Sequence, residues 1–186
     1  GGGETAGMAV SPDGKIAIFS SGTTNMVHWI DTKAQRRFAN TLVGQRPRHE
    51  EFNAGGSKLW FGSEISAAIT MLNVATQQVE HVFHLQIPSV SKDLIQPVGI
   101  RLTADGSKAF IALGPANHMA VIDAQTYKVL DFVLVGRRAW HRAFDEGERH
   151  IYSTNGISGN VTIIDAASLR PLKTVKVGYF SMGPHF

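Results

Sequence analysis

The chain has 186 residues, 43% of them hydrophobic and 18% charged, a balance that fits one globular domain. A net charge of +3 with no lysine–arginine run leaves no electrostatic footprint for nucleic acid. Cysteine is absent, which excludes disulfides and thiolate metal sites and leaves the redox compartment unread, and no apolar run reaches the length of a membrane span.

No long stretch keeps a 3.6-residue period, whereas period-two runs such as Lys15–Phe19 recur, so strands are expected throughout. The first repeat, 7–44, carries the turn Ser11-Pro12-Asp13-Gly14 and a third strand at Val27-His28-Trp29-Ile30. The second, 49–95, turns at Asn53-Ala54-Gly55-Gly56 and is lengthened by an insertion from Pro88 to Ile95; long loops on a rigid scaffold often carry function. The third, 99–136, reads most plainly. Strands are expected at Gly99–Leu102, Ala109–Leu113, up to Asp123, and at Val129–Val135, with a turn at Ala104-Asp105-Gly106 between the first two. The fourth, 141–178, turns at Asp145-Glu146-Gly147 and has a third strand at Val161–Ile164.

The glycine of each Asp-Gly turn supplies a positive φ, and Asp31, Asn73, Asp123 and Asp165 can bond the backbone of the turn that follows. These four recur at steps of 42, 50 and 42 residues. Four short strands per unit of this length is the signature of propeller blades, which bury their faces by stacking. The expected fold is therefore an all-β propeller of four-stranded antiparallel blades, with four blades forming one unit over 1–186. The register places Phe186 with Val10, Phe52, Leu102 and Phe144, so the chain is expected to open on an interblade loop and to stop inside a fifth unit. Four blades of a larger ring, or a ring completed by self-association, follow from this reading; a closed four-bladed ring is the alternative. The same register expects those five residues to pack between sheets, and it sets Glu51 against Arg101 on adjacent blades.

The Ser-Pro-Asp-Gly turn, the Val27-to-Asp31 strand end and the closing Val-Gly resemble the YVTN-type β-propeller repeat. Thr23–Asp31, Gln45–Arg48 before Glu51-Phe52, and Gln96–Gly99 followed by Ala112–Asn117 resemble the PQQ-dependent-catabolism-associated β-propeller proteins. Gly55-Gly56 and Ala139-Trp140 depart from the repeat pattern. The resemblance implies a seven-bladed ring, a periplasmic or secreted location, a non-enzymatic role beside PQQ-dependent oxidation, and a quinoprotein dehydrogenase or cytochrome as partner.

Catalytic motifs are missing. His49-Glu50-Glu51-Phe52-Asn53 lacks the second histidine of a zinc-protease helix, and there is no nucleophile elbow, dinucleotide fingerprint or calcium loop. No catalytic or metal-ligating residue is therefore assigned. In a propeller, the interblade loops and the loops between second and third strands share one face. That face is expected to gather Arg46, Arg48, His49, Arg137, Arg138, Trp140, His141, Asn25, Asn117 and Glu64, together with Tyr179. Arginine forks beside imidazole and an aromatic plane suit an anionic or carboxylate-bearing ligand, while capping of strands and carbonyls is the structural alternative. PQQ fits this chemistry through the family association. A second reading is a d1-haem propeller like cytochrome cd1-type nitrite reductases and their maturation relatives, and a third is a surface-adhesion module that binds through outer strands.

Overall fold

The computed structural model describes residues 4–178. Among them, four sheets each contain four strands. The first holds β1 (Thr5–Val10), β2 (Ile16–Ser21), β3 (Met26–Asp31) and β4 (Arg36–Leu42). The second holds β5 (Pro47–Phe52), β6 (Lys58–Ser63), β7 (Ala68–Asn73) and β8 (Val79–His84). The third holds β9 (Gly99–Leu102), β10 (Lys108–Ala112), β11 (His118–Asp123) and β12 (Val129–Leu134). The fourth holds β13 (Ala139–Phe144), β14 (His150–Asn155), β15 (Asn160–Asp165) and β16 (Pro171–Lys176). Every sheet is an antiparallel meander in chain order. The first strands meet from sheet to sheet, β1 on β5, β5 on β9 and β9 on β13, which makes them the inner strands of propeller blades. The fourth strands form a largely exposed outer rim. No helix among the described residues is long and apolar enough to cross a membrane.

Local chemistry explains why the turns recur. Gly14, Gly56, Gly106 and Gly147 all take positive φ, between 67° and 86°. They do so in a longer connection than a two-residue hairpin: Gly14 N–H donates to the Ser11 carbonyl at 2.8 Å before β2 begins. At the outer turns, Asp31, Asn73, Asp123 and Asp165 each accept backbone N–H groups two or three residues ahead, at 2.6–3.1 Å. The residue four on from each (Gln35, Gln77, Tyr127 and Leu169) is then left-handed. Side-chain oxygen thus replaces a backbone acceptor at the tightest point of every blade.

The core lies in the seams between sheets. Ile18, Val27 and Trp29 of the first sheet meet Phe52, Leu59, Phe61 and Leu72 of the second. Trp29 is fully buried and still satisfied: its Nε1–H donates to Thr41 Oγ1 at 2.9 Å, and that hydroxyl donates to the Gln77 carbonyl of the next blade at 2.6 Å. The second seam packs Trp60, Ile69 and Met71 against Ile100, Leu102 and Ile122. Its insertion is a plug: Leu85 and Ile95 are buried in the seam, around a single 3-10 turn at Lys92–Leu94. The third seam joins Phe110 and Val121 to Ile151 and Ile164, with Phe144 edge-on to Phe110 at 5.4 Å.

Phe52, Leu102 and Phe144 therefore face the preceding blade, as their register requires. Val10 departs from this pattern and is 54% exposed, because no described sheet stacks on its side of β1. Phe186 lies outside the described residues. Truncating Phe52 to Ala is expected to cost about 3–5 kcal/mol, while Val10→Ala at the same register position costs under about 0.5 kcal/mol. Urea unfolding of both variants checks this; equal losses would mean that the faces are misassigned.

Candidate functional site

The inner strands carry the charged and imidazole groups nearest the axis. β1, β5 and β13 each contain an irregularity near their start, between Thr5 and Gly7, Pro47 and Glu50, and Ala139 and Arg142. Such bulges turn side chains out of the regular alternation. His49 and His141 emerge at the two longer ones, and their rings stand edge to face with centroids 6.3 Å apart. They come from the second and fourth blades. Gly99 holds the equivalent register position in the blade between, so no side chain there separates them.

Both imidazoles are held neutral. Burial lowers the His49 pKa to about 4, helped by the charges of Arg142, the neighbouring His141 and Arg101. Burial also lowers that of His141, again with Arg142 opposing the proton. The expected pair of Glu51 and Arg101 is present at 3.7 Å, and Glu51 Oε1 also accepts the Leu102 N–H at 3.3 Å. Burial nevertheless raises the Glu51 pKa, against the pull of Arg101.

Two groups here were not singled out from the sequence. Arg142 is buried and donates to the Ile100 carbonyl of the preceding blade, with its Nε left unpartnered. Its guanidinium fills the volume that a Cβ would occupy at Gly99. Burial lowers its pKa from the ordinary arginine value, and the Glu51 carboxylate opposes that shift. Glu50 does the same two seams earlier. Its carboxyl overlaps the space of a Cβ at Gly7, Oε2 accepts from Ser20 Oγ at 3.2 Å, and Oε1 has no partner. Each glycine thus vacates room for a polar side chain from the next blade, and each occupant is the residue after an axial histidine.

The remaining candidates fall into two clusters. In one, Glu64 is a counter-ion: its Oε2 lies 2.5 Å from Arg48 Nε and 3.4 Å from Arg46 Nε, and Arg48 also reaches Glu4 at 3.6 Å. Asn25 supports this cluster through the backbone, since its Oδ1 accepts Arg46 N–H at 2.9 Å. In the other, Arg138 lies over the Trp140 ring at 5.7 Å, and Asn117 Oδ1 accepts Arg138 N–H at 2.8 Å. Trp140 and His141 rings are 6.4 Å apart, which links this cluster to the imidazole pair. Arg137 is exposed and its backbone N–H is taken by Ser158 Oγ at 2.6 Å. Tyr179 lies outside the described residues. His28 stacks on Phe19 at 4.6 Å and bonds Asn40, while His81 stacks on Tyr127 at the outer rim.

With this geometry in view, the chain can be set beside known proteins. No protein-family model matches it. The uncharacterized protein YncE of Salmonella typhi is 26% identical over 136 residues, which cover 71% of this chain and 38% of that protein; the Salmonella typhimurium protein gives the same figures. The chain thus spans 38% of the length of these curated relatives. Among solved structures, Kuenenia stuttgartiensis hydrazine synthase superposes with a TM-score of 0.84 at 18% identity, over 94% of this chain and 49% of that one. Dihydro-heme d1 dehydrogenase NirN in complex with DHE gives 0.73 at 17% identity, over 92% and 37%. At such identities the likeness is one of fold, and that fold is the β-propeller. The PQQ-associated resemblance rests on its motifs alone.

Glu50 offers a clean test of the seam. Its pKa is raised to about 8, chiefly by burial, from an ordinary 4.5. Unfolding therefore releases a proton throughout that window. The stability this group contributes is full below the unfolded pKa and falls as pH rises, by up to about 1.4 kcal/mol per unit, until the folded pKa is passed. Glu50→Gln carries no such proton, so its stability should gain on the wild type between about pH 4.5 and 8 and run parallel above. Curves parallel across the whole window would mean that Glu50 folds ionised.

Proposed function

We propose that these four blades belong to a seven-bladed periplasmic propeller whose axial channel binds an anionic, ring-shaped cofactor of the d1-haem type, to hold it or pass it to a redox partner. The observation that carries this reading is the neutral imidazole pair, His49 and His141, flanked by Arg101 and Arg142 on the inner strands. A neutral imidazole keeps a lone pair free for a metal centre at ordinary pH. Guanidinium groups suit the carboxylates on the rim of such a ring. Bound there, a haem-type group would supply a redox-active iron. The chain's own part is to offer nitrogen donors without protons, to orient carboxylates and to exclude water from the buried side. No residue receives a catalytic role. The fold likeness to a dihydro-heme d1 dehydrogenase supports the ligand class.

The tricarboxylate of PQQ is the weaker reading. It drew on Arg46 and Arg48 together with His49, Arg138, Trp140 and His141, and Glu64 already takes up the charge of the first two. An adhesive role through the outer strands draws on exposed apolar residues there, such as Val79, Val82, Leu130 and Leu172.

Iron protoporphyrin IX serves as the probe, followed by its absorption spectrum. Wild type should give an imidazole-type spectrum that persists below the ordinary histidine pKa, since burial lowers the pKa of both histidines. His49→Ala and His141→Ala should each weaken binding about tenfold or more, about 1.4 kcal/mol, whereas His84→Ala on the outer rim changes nothing. Binding of PQQ without any response to the porphyrin would overturn the haem-type reading in favour of the quinone.

A further inference from the structure

The first and second sheets are repeated by the third and fourth 92 residues later, and a set of loop hydrogen bonds repeats with them. Gln45 N–H donates to Ser66 Oγ at 2.7 Å, and Arg137 N–H to Ser158 Oγ at 2.6 Å. Arg46 N–H donates to Asn25 Oδ1 at 2.9 Å, and Arg138 N–H to Asn117 Oδ1 at 2.8 Å. The Arg46 carbonyl accepts Glu64 N–H, and the Arg138 carbonyl accepts Gly156 N–H, each at 3.0 Å. Both arginines are left-handed, with φ of 57° and 60°. A bulky residue held in that region is strained unless its surroundings fix it, and here the asparagine fixes it twice. With the two backbone frames matched, each copy shows what space the other offers.

The charges do not repeat. In the first copy the buried Glu64 carboxylate neutralises Arg46 and Arg48. In the second copy Gly156 stands where Glu64 stood, and Trp140 where Arg48 stood. Arg138 keeps its charge, forms no ion pair among the described residues, and has a buried Nε with no acceptor. A buried charged donor lacking an acceptor is costly, and the indole beneath it supplies only the weaker attraction of a ring face.

We propose that the Arg138 arm is an anion site, and that its occupant is a carboxylate of a small-molecule ligand held where Glu64 holds its own in the first copy. Trp140 forms the floor beneath the guanidinium, and the missing side chain at Gly156 is the opening. This deepens the ligand-face reading but requires neither haem nor quinone. Arg46 and Arg48 are, on the same argument, structural.

The test follows arginine side-chain and backbone amide resonances by NMR while acetate, and then benzoate, replaces chloride at constant ionic strength. The Arg138 Nε–H and Gly156 amide signals should move and saturate; those of Arg46 and Arg48 should not. Gly156→Glu supplies an internal carboxylate, and because Gly156 is not left-handed a glutamate can adopt its backbone. That variant should lose the response. Glu64→Gly should gain a second response at Arg46. Arg138→Gln provides the same check as Gly156→Glu should the latter not fold. No saturable shift at Arg138 in the wild type, or an unchanged shift of the residue-156 amide in both variants, overturns the proposal. A saturable shift produced by a glutamate-rich peptide but by neither small acid also overturns it, and assigns the arm to a protein partner. Loss of this site leaves the imidazole spectrum with iron porphyrin intact, and loss of that spectrum leaves the acetate shift intact, so the two readings fail separately.

Discussion

Everything near the axis depends on the space above two glycines. Inner strands of successive blades converge, so a Cβ at Gly7 or Gly99 would collide with the blade that follows. The vacated volume is taken by Glu50 in one seam and Arg142 in the other. Removal from water then decides the protonation of each group. Glu50 gives up its charge, whereas Arg142 keeps its own, as arginine does in proteins. That retained charge is one reason the imidazoles beside it stay neutral. Packing at a glycine thus adds to the burial of the imidazoles themselves in setting the electrostatics of the axis.

The two halves apply one backbone plan to different charge problems. The first half closes on itself, with two arginines satisfied by a carboxylate from the same blade. The second leaves an arginine on an indole. Repeat architectures permit this because each blade's loops are supported mainly by their own sheet and its neighbours. A charge can be lost from one copy while the frame that carried it survives in the other.

Much of the fold was legible because propeller blades are built from local signals. Gly14 and Asp31 act within a few residues of themselves, so their roles follow from the chain alone. Phe52, Leu102 and the Glu51–Arg101 pair were legible one step further out, through register between blades. Val10 was misjudged because burial needs a neighbour as well as a register. In the candidate site, His49 and His141 stood out by position, but Arg142 and Glu50 did not. Their meaning lies in reaching sideways to a glycine, and the signal was the shared spacing of Gly7 with Glu50 and Gly99 with Arg142. Glu64 was placed on the right face, yet its ion pairs depend on loop conformations that no periodicity encodes.

Each of the three seams adds its own fastening to the apolar contact. Between the first and second sheets a neutral relay runs from indole to hydroxyl to carbonyl, Trp29 to Thr41 to Gln77. Between the second and third, Phe83 stacks on Tyr127 and Trp60 stands edge-on to Phe83 beside the inserted plug. Between the third and fourth, ionic groups hold the edges of the apolar contact: Glu148 accepts the Ala104 N–H, and Arg142 holds the Ile100 carbonyl. Dissolved ions screen the exposed carboxylate tie and leave aromatic stacking largely untouched. Ion pairs cross the other two seams as well, Arg48 to Glu4 and Arg101 to Glu51, so the arc is mechanically layered: ionic strength can tune the exposed edge of each joint while its apolar centre keeps its stiffness.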